Sequence, residues 1–214
     1  MAETKTYNQQ TAKFIAVVAQ NLPGLSSDGM QHWIENPAGL KIVLSAVLCP
    51  AKKEKTFEKW KTIRLGTGHI CKEELYSVLS GSGIKIEEWA RKIIRSKSFK
   101  VTTREAEVDL VNVATFELGF KKHTSLAEIY RRAKDLGLEL CPAEVGPQLT
   151  LQYEGQYEGE WIIIAMDPVL LPDGTLELFS VKKDNSKMML CAHGGQPHRS
   201  WEPEQQWVFV KPRK

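Results

Sequence analysis

No run of about 18 apolar residues occurs anywhere in the 214-residue chain, so nothing in it reads as a membrane-spanning helix. Cysteine is sparse as well. Cys49, Cys71, Cys141 and Cys191 lie far apart with no C-x-x-C pair, so neither a disulfide framework nor a zinc ribbon is encoded. Reduced thiols in a cytoplasmic protein are the expectation. The opening segment MAETKTYNQQTAKFIAVVAQNLPG lacks a basic leader and spaces its apolar residues helically, so it reads as a core helix and not as a signal peptide. Catalytic signatures are missing too: there is no G-x-S-x-G, no H-E-x-x-H and no H-x-E…C-x-x-C. RLGTGH (64–69) contains G-x-G but neither a P-loop nor G-x-G-x-x-G, so it reads as a strand-to-helix turn. Repeats and low-complexity tracts are absent.

What is present suffices for a packed core. Apolar residues make up 42% and charged residues 26% of the chain, an ordinary globular balance. Charge is uneven along it. Residues 1–105 carry 17 Lys/Arg against 10 Asp/Glu, a surplus of +7, and residues 106–214 carry 12 against 16, giving −4. A basic front half is one footprint of nucleic-acid binding, although it also suits a solvated surface.

The first fifty residues read as short helices. Phe14, Val17, Val18 and Leu22 share one face, and NLPG stops that helix. Ser26 or Ser27 caps a second helix bearing Met30, Trp33 and Ile34, and Asn36-Pro37 opens a third. AKKEKTFEKWK (51–61) is a polar link and the best candidate boundary. KTIRL alternates as a short strand, and Cys71 with Glu74 sits where a capping box opens the next helix. In IKIEEWARKIIRS, Ile86, Trp89, Ala90, Ile93 and Ile94 give the cleanest amphipathic spacing in the chain. From about residue 106 the period changes. EVDLVNVATFELGF reads as a strand with a bulge at Leu110-Val111, Ser125 and Glu128 cap a helix that Gly137 ends, and PQLTLQY, WIIIAMD, TLELFSV, KMMLCA and QWVFV read as further strands. LLPDGTL is a hairpin turn.

Two stretches carry candidate chemistry. In LELCPAEVGPQLTLQY (138–153), Leu149, Leu151 and Tyr153 alternate with Gln148, Thr150 and Gln152, and Pro142 and Pro147 argue against a helix. Glu144 in this turn suits a carboxylate that accepts backbone N–H groups and holds the turn shut. The functional alternative makes Gln148, Thr150 and Gln152 the floor of a ligand pocket with Glu144 at its mouth. CAHGGQPHRSWEPEQQW (191–207) reads as a long loop between strands, with His198 and Trp201 as candidate ligand contacts. Its Cys191, His193 and His198 are metal-type residues but lack a second pair of ligands nearby, so neither a metal nor a cofactor is expected. Lys52, Lys53, Lys55, Trp60, Lys61 and Arg64, with Arg91, Lys92 and Arg95, are the candidate nucleic-acid contacts, cations interleaved with aromatic rings.

The run ELGFKKHTSLAEIYRRAKDLGLELCPAEVGPQLTLQY, with GEWIIIAMDP, WKTIRLGTG and the terminal WVFV, resembles a family of uncharacterised bacterial proteins from the genomes of uncultured candidate phyla. The resemblance covers most of residues 60–210. It implies a bacterial origin and one recurring folded body over that range, and it carries no activity or site residue with it.

The expected architecture is α+β: a helical N-terminal segment (1–50), a basic helical region (51–105), and an antiparallel sheet of about five or six strands with one packed helix (106–214). The expected function is that of a non-enzymatic cytoplasmic binding or regulatory protein whose partner is nucleic acid or another protein. The alternative is a small hydrolase built on Cys141, Glu144 and His193 or His198, in which a thiolate would need a base within hydrogen-bond reach.

Overall fold

The computed structural model describes residues 9–48, 56–67 and 71–213. Residues 1–54 and 55–214 form two compact units. In the first, α1 (Gln9–Gln20), α2 (Ser27–Glu35) and α3 (Pro37–Leu48) follow one another closely. Ser26 Oγ accepts from Gly29 N at 3.1 Å and Asn36 Oδ1 from Gly39 N at 2.9 Å, so local side-chain caps set both helix starts. Among the described residues of this unit, Phe14, Val17, Leu22, Met30 and Ile34 are all exposed.

The second unit is built on β1 (Lys61–Leu65), α4 (Lys72–Gly81), β2 (Lys85–Ile86), α5 (Glu88–Arg95), β3 (Ala106–Ala114), β4 (Thr124–Ser125), α6 (Leu126–Asp135), α7 (Val145–Gln152), β5 (Trp161–Ile164), β6 (Val169–Leu170), β7 (Leu176–Asp184), β8 (Lys187–Gly194), β9 (Ser200–Trp201) and β10 (Gln206–Val210), with a 3₁₀ turn at Thr115–Leu118. Eight strands make one sheet in the order β1-β3-β10-β5-β7-β8-β2, with β6 on β7, and β4 pairs β9 separately.

This sheet departs from the sequence expectation in three ways. It is mixed and not antiparallel, because β10 runs parallel to β5 and β2 parallel to β8. These pairings join residues far apart in the chain, and no local pattern encodes them. It has more strands than expected, because β1 and β2 from the basic region before residue 106 lie on its two edges. Residue 105 is therefore not a boundary in the sheet. It also carries several helices and not one.

Registered neighbours share a face of a sheet, so pairing alone shows what each face presents. Ile63, Leu110, Val208, Ile162, Val181 and Phe179 fall on one face, all buried, and Trp207, Ile163, Ser180 and Cys191 on the other. Helix α7 packs on the first face, where a Cβ at Gly146 would come within 2.7 Å of the Phe179 side chain. Helix α6 covers part of the second, and Tyr130 meets Trp207 and Phe209 edge-on at 6.2 and 6.4 Å. Two-sided cover explains Leu110-Val111. Both are buried and β3 pairs without interruption on either side, so the break in alternation marks a strand covered on both faces, not a bulge.

Local signals produced local structure. Ser125 and Glu128 close a reciprocal capping box, with Ser125 N donating to Glu128 Oε2 at 3.0 Å and Glu128 N to Ser125 Oγ at 3.4 Å. Those bonds from Ser125 pull the Glu128 carboxyl down to about 2. Gly137 takes φ +78 just beyond α6. Asp173 Oδ1 accepts from Thr175 N at 3.1 Å and shapes the β6–β7 hairpin. The β7–β8 hairpin turns on Asn185 and Ser186, both at positive φ, and the Glu158 carboxylate takes their N–H groups at 2.6 and 3.1 Å.

Candidate functional site

The stretch 138–153 is where the structure departs most from the sequence reading. It is not a strand. It turns into α7, with Pro147 in the first helical turn, where a missing N–H costs little because those N–H groups have no partner within the helix. Glu144, Gln148 and Gln152 then stand four residues apart on one helical face.

That face grips the open edge of β1. Glu144, 1% exposed, accepts Gly66 N at 2.9 Å and Gln148 Nε2 at 3.1 Å on Oε1, and Thr102 N at 2.6 Å on Oε2. Gln148 Oε1 accepts Gln152 Nε2 at 3.0 Å and the Thr67 hydroxyl at 3.3 Å. Gln152 completes the ladder: its Oε1 accepts Arg64 N at 2.9 Å and its Nε2 donates to Arg64 O at 2.8 Å, so one side-chain amide pairs with the strand as a neighbouring strand would. Thr150 donates back to Gly146 O at 2.8 Å. Gly66 fits the cradle at φ +66, with no room for a Cβ, which would lie 2.5 Å from Arg104 O. Glu144, Gln148 and Gln152 thus have their hydrogen-bonding groups engaged inside the protein.

The hydrolase residues are not brought together. Cys141 is 4% exposed and its Sγ donates to Val208 O at 3.3 Å. Burial pushes that thiol well above its ordinary range, which disfavours the thiolate that nucleophilic attack requires. His193 sits elsewhere, on β8, with its ring 4.6 Å from Trp161 and 5.4 Å from Trp201. Burial, reinforced by the Arg199 charge, lowers its pKa. Trp201, 4% exposed, packs against Trp207 at 4.7 Å under the Arg199 guanidinium, so it is a core ring and not a surface contact. His198 is exposed in the turn before β9. The segment 191–207 is not one long loop, since β8 runs through Gly194 and β9 and β10 occupy its far end. Among the described residues, no group of three or more His, Cys, Asp or Glu side chains is placed to hold a metal ion.

The basic candidates divide. Lys52, Lys53 and Lys55 lie outside the described residues. Trp60 meets Tyr153 edge-on at 5.0 Å and is partly buried, with Lys61 Nζ 4.9 Å from the Tyr153 ring. Arg64 lies 3.8 Å from Glu107. On α5, Arg91 pairs with Glu88 at 3.1 Å. Lys92 Nζ sits 3.7 Å from the centre of the Trp89 ring and 3.7 Å from Asp173. Arg95 lies over Tyr76 at 5.9 Å and, like Lys97, has no carboxylate partner among the described residues. The apolar stripe read from the sequence holds only in part. Ala90, Ile93 and Ile94 are buried, whereas Trp89 is 37% exposed and stands on the outer side with the cations.

Beside the C-terminal end of α5 opens a cleft of about 1060 Å³. Its wall includes Arg95 and Lys97, Pro142 next to Cys141, and the β5–β7 connection from Asp167 to Pro172. Sequence reasoning placed Lys97 in the basic 91–100 segment but missed Asp167 and this cleft. The only sequence signal was the proline content of the two connections, since the cavity arises from three chain segments that meet in space.

No family model, no curated protein and no solved structure matches the chain. Among the described residues, no helix is long and apolar enough to cross a membrane.

Proposed function

We propose that the chain is a non-enzymatic binding protein that engages nucleic acid through the outer surface of α5. One observation carries this reading: Arg95 and Lys97 have no carboxylate partner among the described residues, Arg95 lies over the Tyr76 ring, and on the same helix Lys92 lies over the 37%-exposed Trp89. A phosphate backbone supplies the missing negative charge, and an exposed indole offers a stacking surface for a base. Weighing against the rival enzymatic reading, Cys141 is buried as a thiol and Glu144 accepts from two backbone N–H groups and a glutamine. The resemblance to bacterial proteins and the cytoplasmic setting belong to this proposal as its context.

The test is fluorescence anisotropy of the full chain with single- and double-stranded DNA and RNA over a salt series. Binding weakens with salt, and the Arg95→Ala/Lys97→Ala double variant shows a log–log salt slope smaller by about 1.4 to 1.8, the share of two phosphate contacts. Absence of binding at low salt, or an unchanged slope in the double variant, contradicts the proposal.

A further inference from the structure

The cleft beside α5 has a composition that a grip on phosphates alone does not require. Two cations with no carboxylate partner among the described residues, Arg95 and Lys97, line it together with an apolar surface that includes Pro142, Pro168 and Leu171. The wall also contains Asp167, an exposed carboxylate with neither a hydrogen bond nor an ion pair among the described residues. Its volume of about 1060 Å³ matches the upper end of small-molecule sites, roughly 300–1,000 Å³.

We propose that this cleft receives an unstacked base of a single strand, with the backbone phosphate on Arg95 and Lys97, the ring on the proline-lined surface, and Asp167 accepting hydrogen bonds from the exocyclic amino group of the base. This rests on the reading of α5 as a nucleic-acid surface and adds selectivity to it. Single-stranded bases are read on their Watson–Crick edges while their flat faces lie on aromatic or apolar side chains. A carboxylate only accepts, so it favours cytosine, whose N4 amine donates, over thymine, which places an acceptor oxygen at the same position. The charge pattern among the described residues fits this ligand from both sides: cations without acids meet the phosphate, and an acid without a cation meets the amine. A duplex has its amino groups paired and its bases stacked, so it gains only the phosphate contacts.

The test compares equal-length single-stranded oligo-dC and oligo-dT by anisotropy with the full chain. The wild type binds oligo-dC tighter by roughly tenfold, near the low end of what one well-placed base contact discriminates. Asp167→Asn, whose amide both donates and accepts, brings the ratio to about one and leaves the salt slope unchanged, since phosphate contacts set that slope. Arg95→Ala/Lys97→Ala weakens both oligomers and lowers the slope while the ratio persists. Asp167 is exposed in a connection, and a thermal melt of Asp167→Asn that overlays the wild type establishes that the fold is intact. Equal wild-type affinities, or a preference that survives Asp167→Asn, overturn the base pocket and leave the phosphate surface standing. Failure to bind either oligomer overturns both.

Discussion

Replacing Glu144 by glutamine removes one oxygen's worth of acceptor from a site that uses both. The carboxylate takes Gly66 N and the Gln148 amide on one oxygen and Thr102 N on the other, at 1% exposure. A glutamine amide of the same shape keeps one carbonyl oxygen and turns its NH₂ toward a backbone N–H, whichever way it is flipped. At least one bond to a charged acceptor is lost and one buried N–H is left without a partner, which together cost about 2–4 kcal/mol. Total stabilities of domains are about 5–15 kcal/mol, so Glu144→Gln stays folded. The midpoint of thermal unfolding falls by about 5–15 °C at roughly 2–4 °C per kcal/mol. Urea unfolding followed by tryptophan fluorescence reads the loss as a lower midpoint at an unchanged slope. Nucleic-acid affinity at a temperature where both proteins are folded stays within about twofold, because Glu144 is not on the α5 surface and is enclosed. A shift below about 0.5 kcal/mol, or a selective loss of binding with stability intact, refutes the structural role assigned to the Glu144–Gln148–Gln152 ladder.

Other outcomes follow from the same geometry. Gly146→Ala destabilises by about 1–3 kcal/mol in urea, because the added methyl has to displace the Phe179 ring from the core. Ser186→Gly stabilises by about 0.5–1 kcal/mol, because the turn holds Ser186 at φ +61, where a side chain is strained, and two-residue hairpins of this kind favour Asn-Gly. Under native conditions a thiol reagent labels half-buried Cys71 before Cys141 and Cys191; burial pushes Cys191 up to about 11, and both label at the rate of unfolding. Acid unfolding has a defined window. Hydrogen bonds from Arg213 and Thr62 lower Asp109 from 3.8 to about 2, and those from Ser125 lower Glu128 from 4.5 to about 2. Depressed carboxyls stabilise the fold above their unfolded values, so this contribution is lost as pH falls from about 4.5 to 2. Ser125→Ala moves the Glu128 titration, followed by side-chain carboxyl NMR, upward toward 4.5.

The sequence was legible where a structure depends on neighbours in the chain. Ser125 and Glu128 capped α6, Ser26 and Asn36 capped their helices, and Asp173 shaped its hairpin, because each bond spans only a few residues. Helix α7 was misread because Leu149, Leu151 and Tyr153 alternate and two prolines flank the run. The competing signal was also present. Glu144, Gln148 and Gln152 repeat every four residues, and Pro147 is compatible with a first turn. The parallel pairings of β10 with β5 and of β2 with β8 were not legible, since a two-residue strand such as Lys85-Ile86 has no periodicity to read. Among the candidate contacts, the hydrophobic stripe on α5 foretold that Ala90, Ile93 and Ile94 go inward, but it counted Trp89 with them, and Trp89 stands on the outer side with Lys92. It could not show that Lys97 and Asp167 share a cleft, because they come together only through tertiary packing.

The claim on which the account turns is that binding belongs to the outer surface of α5 and not to the 144–152 ladder. The most direct measurement is the salt dependence of single-strand affinity, in parallel, for the full-length wild type, Arg95→Ala/Lys97→Ala and Glu144→Gln. The account predicts a smaller slope and weaker binding for the α5 double variant alone, with Glu144→Gln tracking the wild type. A normal slope in the double variant together with impaired binding in Glu144→Gln contradicts it.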